Sequence, residues 1–183
     1  MRGLSDPVRV SASFLIGATL TVLLVAVAFG LALAHVLEMP GKMRVGRDTY
    51  LAVQTIYYPG FTIGGGVGEA GGILATFLFL FFTPYGSTQF WLTLAALAGL
   101  IAMQAVFWLI TQPVNRFWLQ SQKLGRMGSE FFSTGVKRSR GSSETQPVDW
   151  MYLRDRWELS HVARAVLATF SLIAIVAAVA TGS

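Results

Sequence analysis

The sequence predicts an all-α integral membrane protein, a four-helix bundle with a short interfacial helix between helices 1 and 2. Three observations predict it. Of 183 residues, 54% are hydrophobic and 13% charged, too apolar for an ordinary soluble domain of this size. Val10 to Ala34 and Ala70 to Asn115 carry no charged residue, and a spanning helix needs roughly 20 apolar residues. The polar residues of unusual type gather where these runs begin or end, and an antiparallel bundle brings those ends to one side.

The first span is expected over residues 11–36. Arg2, Arg9 and Ala32-Leu33-Ala34 resemble a secretory signal, but the apolar run exceeds the roughly 7–15 residues of a signal core, which predicts a retained helix. Met39-Pro40-Gly41 then stops the helix. Asp48 caps a short segment from Thr49 to Tyr58, whose Leu51, Ile56, Tyr57 and Tyr58 suit the headgroup level. The second span, 61–83, is separated from the third, 88–112, by the turn signal Thr83-Pro84-Tyr85-Gly86-Ser87-Thr88. Pro113 and Asn115 close the third span. A polar, basic loop over 121–149 follows, with Lys137-Arg138-Ser139-Arg140 expected to touch lipid headgroups. Asp149-Trp150 starts the helix that re-enters the bilayer. The last apolar run, Ala165 to Ala180, is short, so the fourth span, 158–181, recruits residues back past His161.

All of this reads as a single membrane domain. Eleven lysines and arginines lie in the first and third connections, against Arg2 and Arg9 alone on the opposite side. Cytoplasmic loops carry such an excess, which predicts that the long loops and the polar mouth face the cytoplasm, across a cell's inner (plasma) membrane. The formal charge of +5 is explained by attraction to the membrane surface, with no need for nucleic acid as a partner. The chain has no cysteine, which excludes disulfides, thiolate catalysis and cysteine-based metal sites.

Glu69 is an acid near membrane depth, where a carboxylate needs a partner or a cavity. Around it, Gly66 to Gly71 matches G-x-G-x-x-G, but no strand precedes it and a dinucleotide fold cannot be built from membrane spans. Gly64, Gly68 and Gly72 recur every fourth residue, the spacing that lets helices approach closely in lipid. That stripe packs helices within the chain or in a homo-oligomer. On the fourth helix, Trp157, His161 and Arg164 are spaced by four and three and share a face. They offer an aromatic plate, an imidazole and a guanidinium, enough to stack a planar ligand, move a proton and hold an anion. Glu158 neighbours His161. His35 and Glu38 lie three apart at the end of the first helix. With Glu69, these two pairs also resemble the carboxylate–histidine sets of metal-binding bundles, so a non-haem metal is an alternative. Asn115 either caps the helix end, the favoured reading, or points at a ligand.

Taken together, Ala34-His35 through Glu38-Met39-Pro40, Tyr57-Tyr58-Pro59-Gly60-Phe61-Thr62 leading into Gly68-Glu69, Gln112-Pro113-Val114-Asn115, and Arg154-Asp155-Arg156-Trp157-Glu158 to His161-Val162-Ala163-Arg164 resemble the anthrone oxygenase-like family of small four-helix membrane proteins. Many of its members are described as a domain of unknown function. The resemblance implies oxidation of an anthrone-like, lipophilic aromatic substrate by dioxygen as co-substrate, with no cofactor required. On that reading His161 is the base, oriented by Glu158 or Glu69. Arg164 and Asn115 stabilise the enolate oxygen, Trp157 and Tyr57 stack the rings, and His35 is a second proton-transfer group. Three further readings stay open: a metal-dependent oxygenase using His35, Glu38, Glu69, Glu158 and His161; a small proton-coupled transporter; and a non-catalytic membrane subunit.

Overall fold

A computed structural model describes residues 11–119 and 149–182. The basic-loop cluster at Lys137, Arg138 and Arg140, and the N-terminal Arg2 and Arg9, lie outside the described residues. The described residues are helical and contain no strand.

Helix α1 spans Ala12–Lys42, its first turn capped by the Ser11 hydroxyl, which accepts from the Phe14 amide at 3.2 Å. Helix α2, Arg47–Gln54, runs into a tight turn at Thr55–Tyr57. Helix α3 spans Gly60–Leu80. Helix α4, Thr88–Val106, is capped by Ser87 and passes through a wide π-type turn, Phe107–Thr111, into α5, Gln112–Leu119. Helix α6, Trp150–Thr181, is capped by Asp149, whose carboxylate accepts from the Met151 amide at 2.9 Å. Four stretches, Ala12–Lys42, Gly60–Leu80, Thr88–Trp118 and Trp150–Thr181, are long and apolar enough to cross a membrane.

The spans form a closed, antiparallel ring. α1 packs on α3 and α6, α4 packs on α6, and the α3–α4 side is the least extensive. Three layers fill its centre. Farthest from the polar mouth, Val25, Phe79, Leu100 and Ile175 interdigitate with alanines. In the middle, Ala28, Ala32, Met103, Ala165 and Ala168 keep the helices close. At the mouth the residues become aromatic, with Tyr50, Tyr57, Trp118 and Trp157 around Val114. Large apolar side chains such as Leu20, Leu74, Ile101 and Ile173 are exposed on the outside, the surface that a bilayer would cover.

Several boundaries differ from expectation, each with a local cause. Pro40 does not end α1, which continues to Lys42. A proline near the last turn forfeits only one intrahelical hydrogen bond. Asp48 lies in the first turn of α2 behind an N-cap at Gly46, with no side-chain cap there. Pro113 does not close the third span either. The preceding π turn, in which the Gln112 amide donates to the Phe107 carbonyl, widens the helix just before the proline and lets α5 continue. The start of α6 at Trp150, by contrast, is where Asp149-Trp150 placed it, about four turns before Ala165.

The glycine stripe packs within the chain. A Cβ on Gly68 would lie 2.9 Å from the Ala28 backbone nitrogen, and one on Gly64 would lie 3.2 Å from Leu31. Neither the α1 backbone nor α3 can yield there without separating. Gly68→Ala is therefore expected to cost about 1–3 kcal/mol by overpacking, read as a lower thermal midpoint in detergent. Gly66→Ala, which meets nothing within 4 Å, is the control and should melt no lower than wild type. Equal midpoints for the two variants would remove this contact as a determinant of helix spacing.

Candidate functional site

Beneath the aromatic layer lies a cavity of about 310 Å³, lined from α1 by Ala32 and His35, from the α2 segment by Gln54 and Tyr57, and from α3 by Phe61 and Glu69. Gln104, Phe107, Thr111 and Asn115 close it from α4 and α5, and Trp157, His161 and Arg164 from α6. Of the residues singled out in the sequence, His35, Glu69, Asn115, Trp157, His161 and Arg164 thus share one chamber. Glu38 and Glu158 do not line it.

Two imidazoles meet at its centre, with ring centroids of His35 and His161 4.2 Å apart. Trp157 packs on His161 at 4.0 Å and edge-on to His35 at 5.1 Å, while Tyr57 and Phe61 close on His35 at 4.6 and 4.9 Å. His161 Nδ1 lies 2.9 Å from the Trp157 carbonyl oxygen. A carbonyl only accepts, so Nδ1 carries the proton and Nε2 keeps its lone pair. The orienting group for His161 is therefore this backbone carbonyl, and neither Glu158 nor Glu69 fills that place. Ser160 donates to the same carbonyl at 2.6 Å and meets the Thr111 hydroxyl at 2.8 Å, which ties the π turn of α4 to α6 beside the histidine. His35 Nδ1 is buried with no hydrogen-bond partner among the described residues.

Glu69 forms a buried ion pair with Arg164. With the Gln104 amide nitrogen turned towards it, Gln104 donates to Glu69 Oε2 at 2.7 Å and its oxygen accepts from Trp108 Nε1 at 2.9 Å. One carboxylate thus links α3, α4 and α6, and it does so at membrane depth, where an unpaired acid would be expensive. Arg164 also lies over the Phe107 ring at 5.2 Å, and its Nε has no hydrogen-bond partner among the described residues.

Asn115 is not a helix cap. Its Oδ1 accepts from Trp157 Nε1 at 2.7 Å, so it sets the rotation of the indole from across the chamber. Trp157 is 3% exposed and stacks at 28° on Tyr57; the two form one wall.

Above that wall sits a second polar cluster, which the sequence analysis missed in part. Lys42, buried, lies 3.0 Å from Glu158 Oε1 and 3.9 Å from Glu38, with its ammonium 4.6 Å over the Trp157 ring. Tyr50 donates to Glu158 at 2.8 Å and Tyr57 to Glu38 at 2.5 Å. Burial, with Glu158 beside it, pushes the Tyr50 phenol above its usual range. Burial and the bond to Glu38 do the same for Tyr57, so both remain proton donors in neutral solution. Lys42 was legible in principle: it stands four residues after Glu38 and seven after His35, on one helical face once α1 is allowed past Pro40. Tyr50 and Tyr57 are likewise seven apart.

A non-haem metal needs a set of converging donors, with three protein ligands the usual minimum. Among the described residues no three histidine or carboxylate groups converge. Glu38 and Glu158 turn to Lys42, Glu69 turns to Arg164, and only the two imidazoles remain together. The donor set as folded does not fit such a centre.

No curated protein sequence and no solved structure matches the chain significantly. One family does. The model for anthrone oxygenase matches residues 54–174, a stretch that begins with Gln54 in the chamber roof, takes in Tyr57, Glu69, Asn115, Trp157, His161 and Arg164, and leaves out only the α1 side of the chamber with His35. Covering about two thirds of the sequence and every cavity-lining residue apart from those of α1, that match places the chain in the anthrone oxygenase family.

Proposed function

We propose that the protein is a cofactor-independent oxygenase that uses dioxygen to convert an activated, lipophilic aromatic methylene compound of the anthrone type into the corresponding quinone. One observation carries this reading. His161, with its Nδ1 proton held by the Trp157 carbonyl, keeps a free imidazole lone pair in an aromatic chamber of about 310 Å³, large enough for a small planar molecule.

In this reading His161 Nε2 removes a proton from the ring methylene, and the electron pair delocalises onto the ketone oxygen as an enolate. Arg164, whose guanidinium lines the chamber, holds that oxygen. The carbanion gives its electrons to dioxygen, a C–O bond forms, and the peroxide takes up the proton. Loss of the second methylene proton with cleavage of the O–O bond leaves the new carbonyl and one water. Electrons balance between substrate and dioxygen, so neither metal nor flavin is consumed. Trp157 and Tyr57 form the aromatic wall against the rings, and Asn115 holds Trp157 in place.

Transport is a weaker reading, because the apolar layers of Val25, Phe79, Leu100 and Ile175 fill the bundle beyond the chamber. A transport site must be reachable from both sides.

Purified protein in detergent should consume dioxygen with an anthrone in a 1:1 ratio, yield quinone without peroxide release, and keep its rate after exhaustive chelation. A rate lost on chelation and restored by iron or manganese would overturn cofactor independence. No uptake at all would overturn the oxygenase reading.

A further inference from the structure

The chamber has a side as well as a roof. Its roof residues Gln54, Tyr57 and Trp118 are all buried, so the mouth facing water is shut by side chains packed on one another. Three of the lining residues are exposed: Gly66 and Ala70 on α3, and Trp108 in the π turn that follows α4. They belong to the two neighbouring helices that pack least on each other. Gly66 has no atom within 4 Å of where a Cβ would stand, so that edge of the chamber is open space. Its surroundings are apolar and exposed, with Val67 58%, Ile63 49% and Leu109 71% exposed. Gly66 and Ala70 lie about 9 and about 15 Å along α3 from Gly60, inside a span whose length matches the roughly 30 Å hydrocarbon thickness.

From this geometry we infer a lateral portal between α3 and the π turn of α4, through which a planar apolar molecule dissolved in the bilayer reaches His161 without passing through water. Gly66 and Ala70 set its width because they present almost no side chain. Trp108, 45% exposed and bonded through its indole N–H to Gln104, is the movable edge. Gln104 in turn donates to Glu69, so displacement of Trp108 is felt at the Glu69–Arg164 pair. The inference concerns access to the chamber and rests on the oxygenase reading only for the identity of the molecule that enters.

Because the chain contains no cysteine, Gly66→Cys places a single thiol at the portal and Val67→Cys places one beside it on the outer face. In phosphatidylcholine vesicles, lipophilic pyrene maleimide should modify Gly66→Cys at least fivefold faster than a sulfonated, membrane-impermeant maleimide. Saturating anthraquinone should slow the pyrene reaction at least fivefold at Gly66→Cys and leave Val67→Cys unaffected. Gly66→Trp should lower kcat/KM for a bilayer-dissolved anthrone at least tenfold, with Val67→Trp as the control. Equal labelling by the charged reagent, absence of anthraquinone protection, or unchanged kcat/KM in Gly66→Trp would each overturn the portal. If protection is found but wild-type protein consumes no dioxygen, the portal stands and the oxygenase reading falls.

Discussion

His161→Ala is expected to lower dioxygen uptake with an anthrone by about 10²–10⁴-fold, the usual worth of a positioned general base, while the protein elutes and melts as wild type does. The retained fold is part of the expectation. The imidazole lies against Trp157 and His35, but Asn115 and the Lys42 ammonium hold Trp157 independently of it. The hydroxyl bridge from Thr111 through Ser160 to the Trp157 carbonyl also survives. Truncation then leaves a void of about an imidazole's size, and added imidazole should restore part of the rate to His161→Ala but none to His161→Gln, whose amide fills the space without accepting a proton. A structural role alone would not give that contrast. Wild-type turnover in His161→Ala would sink the assignment of the base.

The spans were legible because the bilayer sets a length and forbids charge, and both show as uninterrupted runs such as Val10 to Ala34. The one-sided gathering of His35, Asn115 and His161 was legible because antiparallel helices joined by turns alternate their ends. The partner of each acid was not. Glu69, Glu158 and Glu38 are chemically alike, and whether one meets His161, Arg164 or Lys42 depends on helix rotation and register between segments as far apart in sequence as Lys42 and Glu158. Those are fixed by packing of small residues, as where Gly68 seats on Ala28, and a glycine stripe marks a closely packed face without naming its partner. Lys42 was hidden for a different reason. Proline is a strong stop signal, but near a C-terminus its penalty is small enough for tertiary contacts to override. Asn115 illustrates the same point: a polar residue two positions after a proline suggests a cap, yet a widened turn let the helix continue and turned the amide towards Trp157.

Arg164→Met should destabilise the protein by about 3–5 kcal/mol, the cost of leaving the other member of a buried pair uncompensated. Glu69 would keep the Gln104 amide as its one neutral donor, at a depth where a lone carboxylate is strongly disfavoured. Glu69→Gln should fail similarly, by stranding the guanidinium over Phe107. Combining the two changes removes both charges at once, and replacing a whole buried pair is often nearly neutral, so the double variant should recover most of the lost thermal stability. Activity should not recover with it. If the pair exists to place a cation where the enolate oxygen develops, the double variant stays slower than wild type by about 10²–10³-fold, the usual worth of one such donor. Stability and turnover are thus predicted to separate at the same two positions. A double variant that regains both would make the pair purely architectural and would move charge stabilisation to another side chain of the chamber, of which Gln104, fixed between Glu69 and Trp108, has the remaining donor group nearest in chemistry.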